Sequence, residues 1–294
     1  LRTGRIGSWI SRATNRWAVL NHLPLLLILL LAFGFRSFGW NWDDGHLLHP
    51  DERHMAMVTA ALERPASMSG WLDGDTSSFT PYAQGINSYV YGQLPLIPVH
   101  ALTVQQGDRD LKSIVRTGRR MSAWLSTTTV LLVYAFGLRL LSLRAAQLAA
   151  LLQAGVILSI QQAHFYTVDT AGTFFATACV GFGLLAAKEK KTAWLFLSAS
   201  MVGLAMACRI NLGLLAFWVT ALAGILSFQQ RSLRLLTGWI LGGVCSLLLF
   251  RLFQPMAFSG WGLNPRWLQD LRMVHDISRG VLEVPFTLQW AGRT

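Results

Sequence analysis

Residues 121–141 read MSAWLSTTTVLLVYAFGLRLL, and after the three residues Ser142-Leu143-Arg144 the chain continues at 145–162 as AAQLAALLQAGVILSIQQ. The first run carries a single charge, Arg139, near its end, and the second carries none. A helix needs roughly 17–25 mainly apolar residues to cross about 30 Å of hydrocarbon. In lipid every backbone amide must be satisfied within the protein, which leaves helices or closed barrels, and neither run alternates as a barrel strand does. The pair therefore reads as two antiparallel membrane helices joined by a tight turn. Comparable runs lie at 17–35, 171–187, 192–208, 212–228 and 235–252, so the expected fold is an all-α, polytopic integral membrane bundle of about seven transmembrane helices. Composition agrees: 53% of the 294 residues are hydrophobic and 13% charged, against about 25% charged in ordinary soluble domains.

Lysines and arginines in short flanking loops resist translocation and so report direction. With the N-terminus cytoplasmic, the inner loops hold Arg2, Arg5, Arg12, Arg16, Arg139, Arg144, Lys188, Lys190, Lys191, Arg231 and Arg234, with Glu189 as the lone acid. This places residues 37–118 and the tail from 253 outside, on the external or periplasmic face of the plasma (inner) membrane. The expected division is a bundle over 1–252, including the external loop 37–118, and an external tail over 253–294. A cleaved signal peptide over 1–36 fits less well, because no A-x-A-like site follows Leu23–Phe35 and six more apolar runs do. Tyr89–Gln105, interrupted by Pro95 and Pro98, reads as a helix or broken helix in the membrane interface. The net charge of +11 comes without a Lys/Arg tract, so a membrane partner is expected and nucleic acid is not. Cys179, Cys208 and Cys245 form no C-x-x-C pair and read as small packing residues. The first residue is Leu, which suggests a trimmed reading frame.

Chemistry-bearing residues concentrate just after the first run, in Asn41-Trp42-Asp43-Asp44-Gly45-His46-Leu47-Leu48-His49-Pro50-Asp51-Glu52-Arg53-His54. Pro50 suits a first helical position, placing Asp51 and Glu52 in a first turn that favours anions and starting a helix that runs to about Leu62. Taken alone, the two acids are ordinary helix-start residues. Beside a membrane face, with His49, Arg53 and His54 around them, they suit a general base and the binding of a phosphorylated head group. In the second external turn His164 and Asp169 stand out. Asp169 reads either as the N-cap of the fourth span or as a second acid on the face that holds Asp51. Arg209, between the fifth and sixth runs, reads as a snorkelling residue or a partner for lipid phosphate. Asp51, Glu52 and Asp169 are thus the candidate catalytic residues, and His49, Arg53, His54, His164 and Arg209 the candidate substrate-binding ones. His46, His49 and His54 with Asp43, Asp44 and Asp51 offer ligand types for a divalent cation without a metal-specific spacing. No Walker A or Rossmann fingerprint is present, so no nucleotide cofactor is expected.

The order of these motifs resembles the GT-C type, polyprenyl-phosphate-dependent glycosyltransferases, in particular the protein O-mannosyltransferase-like branch (glycosyltransferase family 39-like). The resemblance rests on His49-Pro50-Asp51-Glu52-Arg53-His54 opening a long first loop, Tyr91-Gly92-Gln93-Leu94-Pro95-Leu96 in its second half, and Gly118-Arg119-Arg120-Met121-Ser122 entering the second span. It continues with Tyr166-Thr167-Val168-Asp169-Thr170 and with Phe250-Arg251-Leu252-Phe253-Gln254-Pro255 leading to Asn264-Pro265-Arg266-Trp267. It implies inverting transfer of a sugar from a polyprenyl-phosphate-linked donor to an acceptor protein, lipid or glycan on the outer face. Base or acceptor orientation then falls to Asp51 and Glu52, the second-loop acid is Asp169, and phosphate binding falls to Arg209. The resemblance leaves a divalent metal open. It also implies further spans, beyond Thr294 or in a partner membrane subunit. The competing expectation is a polytopic protein without catalysis, a transporter or a subunit that keeps the fold. A transporter would show charged or helix-breaking residues near mid-span.

Overall fold

The structure is a computed structural model and describes residues 22–282. Helix α1 covers His22–Ser37. The following loop carries α2 (Pro50–Ala61), α3 (Met68–Leu72) and α4 (Leu96–Leu102), joined by two short 3-10 turns. The bundle continues with α5 (Leu111–Leu140), α6 (Leu143–Ala154), α7 (Ile157–Ala163), α8 (Asp169–Glu189), α9 (Thr192–Met206), α10 (Leu215–Gln230) and α11 (Arg234–Phe253). A two-residue hairpin, β1 (Phe258–Ser259) with β2 (Gly262–Leu263), leads to α12 (Pro265–Ser278).

Within the described residues the seven apolar runs are largely helical, but they are unequal. Four helices are long and apolar enough to span a membrane: α5, α8, Ile210–Gln230 (α10 with the 3-10 turn before it) and α11. The pair α6 and α7, bent by 57°, makes a fifth if taken as one broken span. Helices α1 and α9 are apolar but shorter. The expected seven spans therefore reduce to four or five by length and composition among the described residues. Part of the first expected run, 17–21, lies outside those residues, as do the basic residues Arg2 to Arg16.

The exposed surface of the helices is apolar, with Leu151, Leu152, Ile157, Phe217, Phe228, Leu247 and Leu248 all more than two-fifths exposed. A soluble protein rarely leaves so large an apolar surface uncovered, whereas a bilayer covers it. Half of the α8 span is buried in the protein, against about a fifth of Ile210–Gln230, so α8 is central and α10 peripheral. Helix α9 packs most closely on α11 and α8, and α5 on α6 and α8. The α9–α11 approach is close enough that a Cβ on Gly203 would lie 2.0 Å from the Ser246 carbonyl oxygen. Small residues at such crossings let backbones meet in lipid, where packing rather than hydrophobicity holds helices together.

At one end of the bundle the first loop and the chain after α11 form a single core with the start of α5. Met55, Leu62, Phe79, Tyr89, Ile114, Tyr166, Phe250 and Trp267 all contribute to it. Gln93 stitches loop to tail: its backbone N–H donates to Gln254 Oε1 (2.5 Å), its Oε1 accepts from the Met256 amide (3.0 Å) and its Nε2 donates to the Phe79 carbonyl (2.8 Å). Buried Asp270 of α12 accepts from the Tyr82 hydroxyl (2.7 Å) and the Tyr89 amide (3.0 Å). Tyr89–Gln105, expected as a helix or broken helix, is broken: its first part is irregular, then α4 and a 3-10 turn follow.

Candidate active site

Helix α2 starts as its sequence dictates. His49 caps it, its Nδ1 accepting from the Glu52 amide (3.3 Å), and Pro50 opens the first turn. The two acids that follow face different surroundings. Glu52 is fully buried and accepts from Arg119 Nε (2.8 Å) and Nη2 (2.5 Å) and from the Tyr166 amide (2.8 Å). Arg119, on α5, also grips Asp43 through both terminal nitrogens (2.9 Å each) and donates to the Trp40 carbonyl (2.8 Å). A buried guanidinium between two carboxylates keeps the assembly anionic and fully hydrogen-bonded, the condition under which buried charge is tolerated. The Arg119 hydrogen bonds hold the Asp43 carboxyl down to about 2, against the opposing effect of burial.

Asp51, by contrast, is exposed, and its carboxylate acts on the Tyr91 hydroxyl. Burial first, then the charge and hydrogen bond of Asp51, raise the Tyr91 phenol well above its ordinary value. Asp169 adds to the rise and Arg209 opposes it. The Tyr91 phenol thus feels carboxylates from both α2 and α8. Asp169 and Arg209 form an ion pair, both partly exposed. The expectation of Asp169 as an N-cap is corrected: Val168 occupies the cap, and Asp169 is the first residue of α8, which leaves its carboxylate available to Arg209.

Backbone pairing sets this convergence. The Gly92 amide donates to the Cys208 carbonyl (2.9 Å) and the Leu94 amide to that of Ala207 (3.2 Å), which ties the segment after Tyr91 to the turn that carries Arg209. A Cβ at Gly92 would lie 1.9 Å from the Ala207 carbonyl oxygen, so only glycine permits this approach. His54, one turn along α2, is half-buried with its ring 5.8 Å from Tyr89 and 6.4 Å from Tyr91. Burial lowers its imidazole below the ordinary value despite the nearby Asp51.

The structure thus gathers Asp51, His54, Asp169 and Arg209, with Glu52 on the buried side of the same turn. His49 packs on Phe165 at 4.3 Å between ring centroids, one step outside. Arg53 is exposed. His164 also stands apart: its Nδ1 lies 2.8 Å from the Ile160 carbonyl and its Nε2 2.8 Å from that of Phe38, pinning the start of the loop to α7. Among the described residues no group of three or more His, Cys, Asp or Glu side chains is placed to hold a metal ion. Asp43 is committed to Arg119 and His49 to its helix cap.

Two members of the arrangement were not singled out from sequence. Tyr91 and Arg119 both lie in stretches that carry the family resemblance, but aromatic and basic residues at a membrane face are common, and neither position advertises its partners.

The family model for dolichyl-phosphate-mannose-protein mannosyltransferase matches residues 115–254. The match runs from the second turn of α5 past the end of α11, and takes in Arg119, Asp169 and Arg209. No curated protein and no solved structure matches the chain. With the helical membrane architecture, that match supports a GT-C, protein mannosyltransferase-like likeness across residues 115–254.

Proposed function

We propose that the chain belongs to a membrane enzyme that moves a sugar from a polyprenyl-phosphate donor to an acceptor hydroxyl at the loop-bearing face, read as external, with inversion. The observation that carries this is the Asp169–Arg209 ion pair, tied by the Gly92–Cys208 and Leu94–Ala207 backbone hydrogen bonds to the segment of Tyr91, whose phenol feels Asp51. The acceptor oxygen attacks the anomeric carbon, the bond from that carbon to the phosphate oxygen breaks, and the electron pair leaves with polyprenyl phosphate. Asp51, exposed and close to Tyr91, takes the acceptor proton as general base. Arg209, aimed by Asp169, stabilises the phosphate as charge develops on it. Glu52 is a positioning residue: its carboxylate is consumed by Arg119 and Tyr166, and it fixes the first turn of α2 so that Asp51 faces the site. The acceptor is a protein, lipid or glycan hydroxyl.

The test is sugar transfer by the full membrane protein in lipid, from polyprenyl-phosphate mannose, with Asp51→Asn and Asp169→Asn. Loss of a general base lowers turnover by about 10²–10⁴, and a drop in that range for Asp51→Asn is expected. Wild-type turnover in the Asp51→Asn protein would remove Asp51 from the chemistry and favour a subunit that keeps the fold without catalysis.

A further inference from the structure

A cavity of about 310 Å³ lies between α5, the bent pair α6–α7 and the start of α8. Ser126 and Thr129 of α5, Gln153 of α6, Ser159 and Gln162 of α7, and Asp169, Thr170 and Thr173 of α8 line it together with the apolar Val156 and Leu158. The groove between α9, α10 and α11, by contrast, is lined mainly by Ala, Val, Met, Ile and Leu. Polar side chains within membrane helices are costly unless they meet one another, water or a ligand, and irregular backbone at that depth survives only where it is buried in protein or lines a cavity.

Both conditions meet at the break between α6 and α7. Ending α6 at Ala154 frees carbonyls that a continuous helix would use, and a buried arginine from α1 takes them. Arg36 is fully buried and donates from Nη2 to the Gln153 carbonyl (3.1 Å) and from Nη1 to that of Ala154 (2.9 Å) and to its own helix at Ala32 (3.1 Å), while its Nε donates to Ser126 Oγ (2.7 Å). Gln153 Nε2 reaches on to Ser159 Oγ (3.3 Å). The wall of the cavity is therefore braced from behind by a cation whose donors are turned onto carbonyls and a hydroxyl.

The chemistry of the lining selects its occupant. Among the described residues no Lys or Arg lines the cavity, and the charged residue that does is the carboxylate Asp169, so an anion is disfavoured there. Hydroxyls and amides that both donate and accept match a neutral, hydroxyl-rich ring, and the volume is at the small end of ligand pockets, about 300–1,000 Å³. Asp169 both lines the cavity and pairs with Arg209, which connects the cavity to the site described above. We infer that this cavity is the subsite that recognises the donor's sugar ring, with Ser126, Thr129, Ser159, Gln162, Thr170 and Thr173 reading its hydroxyls and Arg36 holding the broken helix that forms the wall. The inference rests on the donor reading above and adds the residues that select the sugar.

The experiment measures binding of polyprenyl-phosphate mannose and of polyprenyl phosphate without sugar to the full protein in nanodiscs, comparing wild type with Ser159→Ala/Thr173→Val. The double variant is expected to bind the sugar-bearing lipid about tenfold more weakly, as loss of hydrogen bonds worth about 1.4 kcal/mol gives, while binding the bare lipid phosphate as wild type does. The unchanged second lipid also serves as the check that the variant is folded. Unchanged binding of both lipids by the variant overturns the subsite and leaves the donor reading standing, and equal weakening of both overturns it too, because the cavity then serves the lipid or the fold. If wild type binds neither lipid, the donor reading falls and the subsite with it.

Discussion

Arg119 and Arg209 carry the same charge into opposite surroundings, and the difference predicts opposite phenotypes. The Arg119 side chain is 2% exposed and its partners Asp43 and Glu52 are fully enclosed, whereas Arg209 is 47% and Asp169 34% exposed. Removing one partner of a buried ion pair strands charge and costs about 3–5 kcal/mol, while exposed pairs contribute about 0–1 kcal/mol. Arg119→Met is accordingly expected to lower the thermal midpoint of the detergent-solubilised protein sharply. Arg209→Met should leave that midpoint within a few degrees of wild type and abolish most sugar transfer. Thermal unfolding and transfer, measured on both variants, separate the two; a stable Arg119→Met protein would mean that the Asp43–Arg119–Glu52 network is not what holds the loop to α5. At this scale the sequence was informative about residue types and silent about pairings. Asp51 and Glu52 are neighbours and looked equivalent, but a helical turn rotates successive side chains by about 100°, so one met Arg119 and the other Tyr91. Arg119 is 67 positions from Glu52, and no local pattern announces a contact of that span.

Among the helices, backbone proximity rather than side-chain bulk sets the packing, and glycines test this directly. Gly203 in α9 faces the Ser246 carbonyl of α11 with no room for a methyl group, whereas Gly224 in α10 has nothing within 4 Å. Gly203→Ala must push two helices apart and is expected to destabilise by about 1–3 kcal/mol, the usual cost of overpacking. Gly224→Ala fills open space, gains helix propensity, and is expected to be neutral or to stabilise by up to about 1 kcal/mol. Unfolding in the same detergent ranks the two, and equal midpoints would show that α9 and α11 are less tightly apposed than the structure has them. The positions of the apolar runs were legible because lipid imposes length and composition on a span. Their ends were less so. Helix α5 begins at Leu111, ten residues ahead of the apolar run, because Asp110 caps it by accepting from the Ser113 amide (3.0 Å) and the added turns pack on the loop. The break after Ala154 escaped a reading by hydropathy altogether, since the arginine that takes its freed carbonyls, Arg36, lies 118 positions away.

On the scale of the whole molecule, the loop, the tail and one end of the bundle share a core, and charge is the weak point of that union. Basic-residue counting put 37–118 on one face with Asp169 and Arg209. The stitching through Gln93, Gln254 and Asp270 was not visible, because single polar residues in a loop carry no mark of their distant partners. The attachment of the start of the loop depends on Asp43, which accepts from Arg119 and from the Gly45 (3.2 Å) and Leu48 (3.4 Å) amides. Its carboxyl is held down to about 2 by Arg119, against about 3.9 in an unfolded chain. Between those values the unfolded chain binds the proton and the native one does not, so stability rises with pH across the window and falls as pH drops through it. The contribution is fully present above about pH 4 and is lost as pH falls towards 2. The unfolding midpoint should therefore show a decline over this acid window that Asp43→Asn lacks. Measured at fixed ionic strength from pH 6 to pH 2, overlapping profiles for wild type and Asp43→Asn would show that Arg119 draws no stabilisation from the Asp43 charge. A steeper acid decline in wild type than in the variant would locate the acid-sensitive hinge of the molecule where the loop leaves α1.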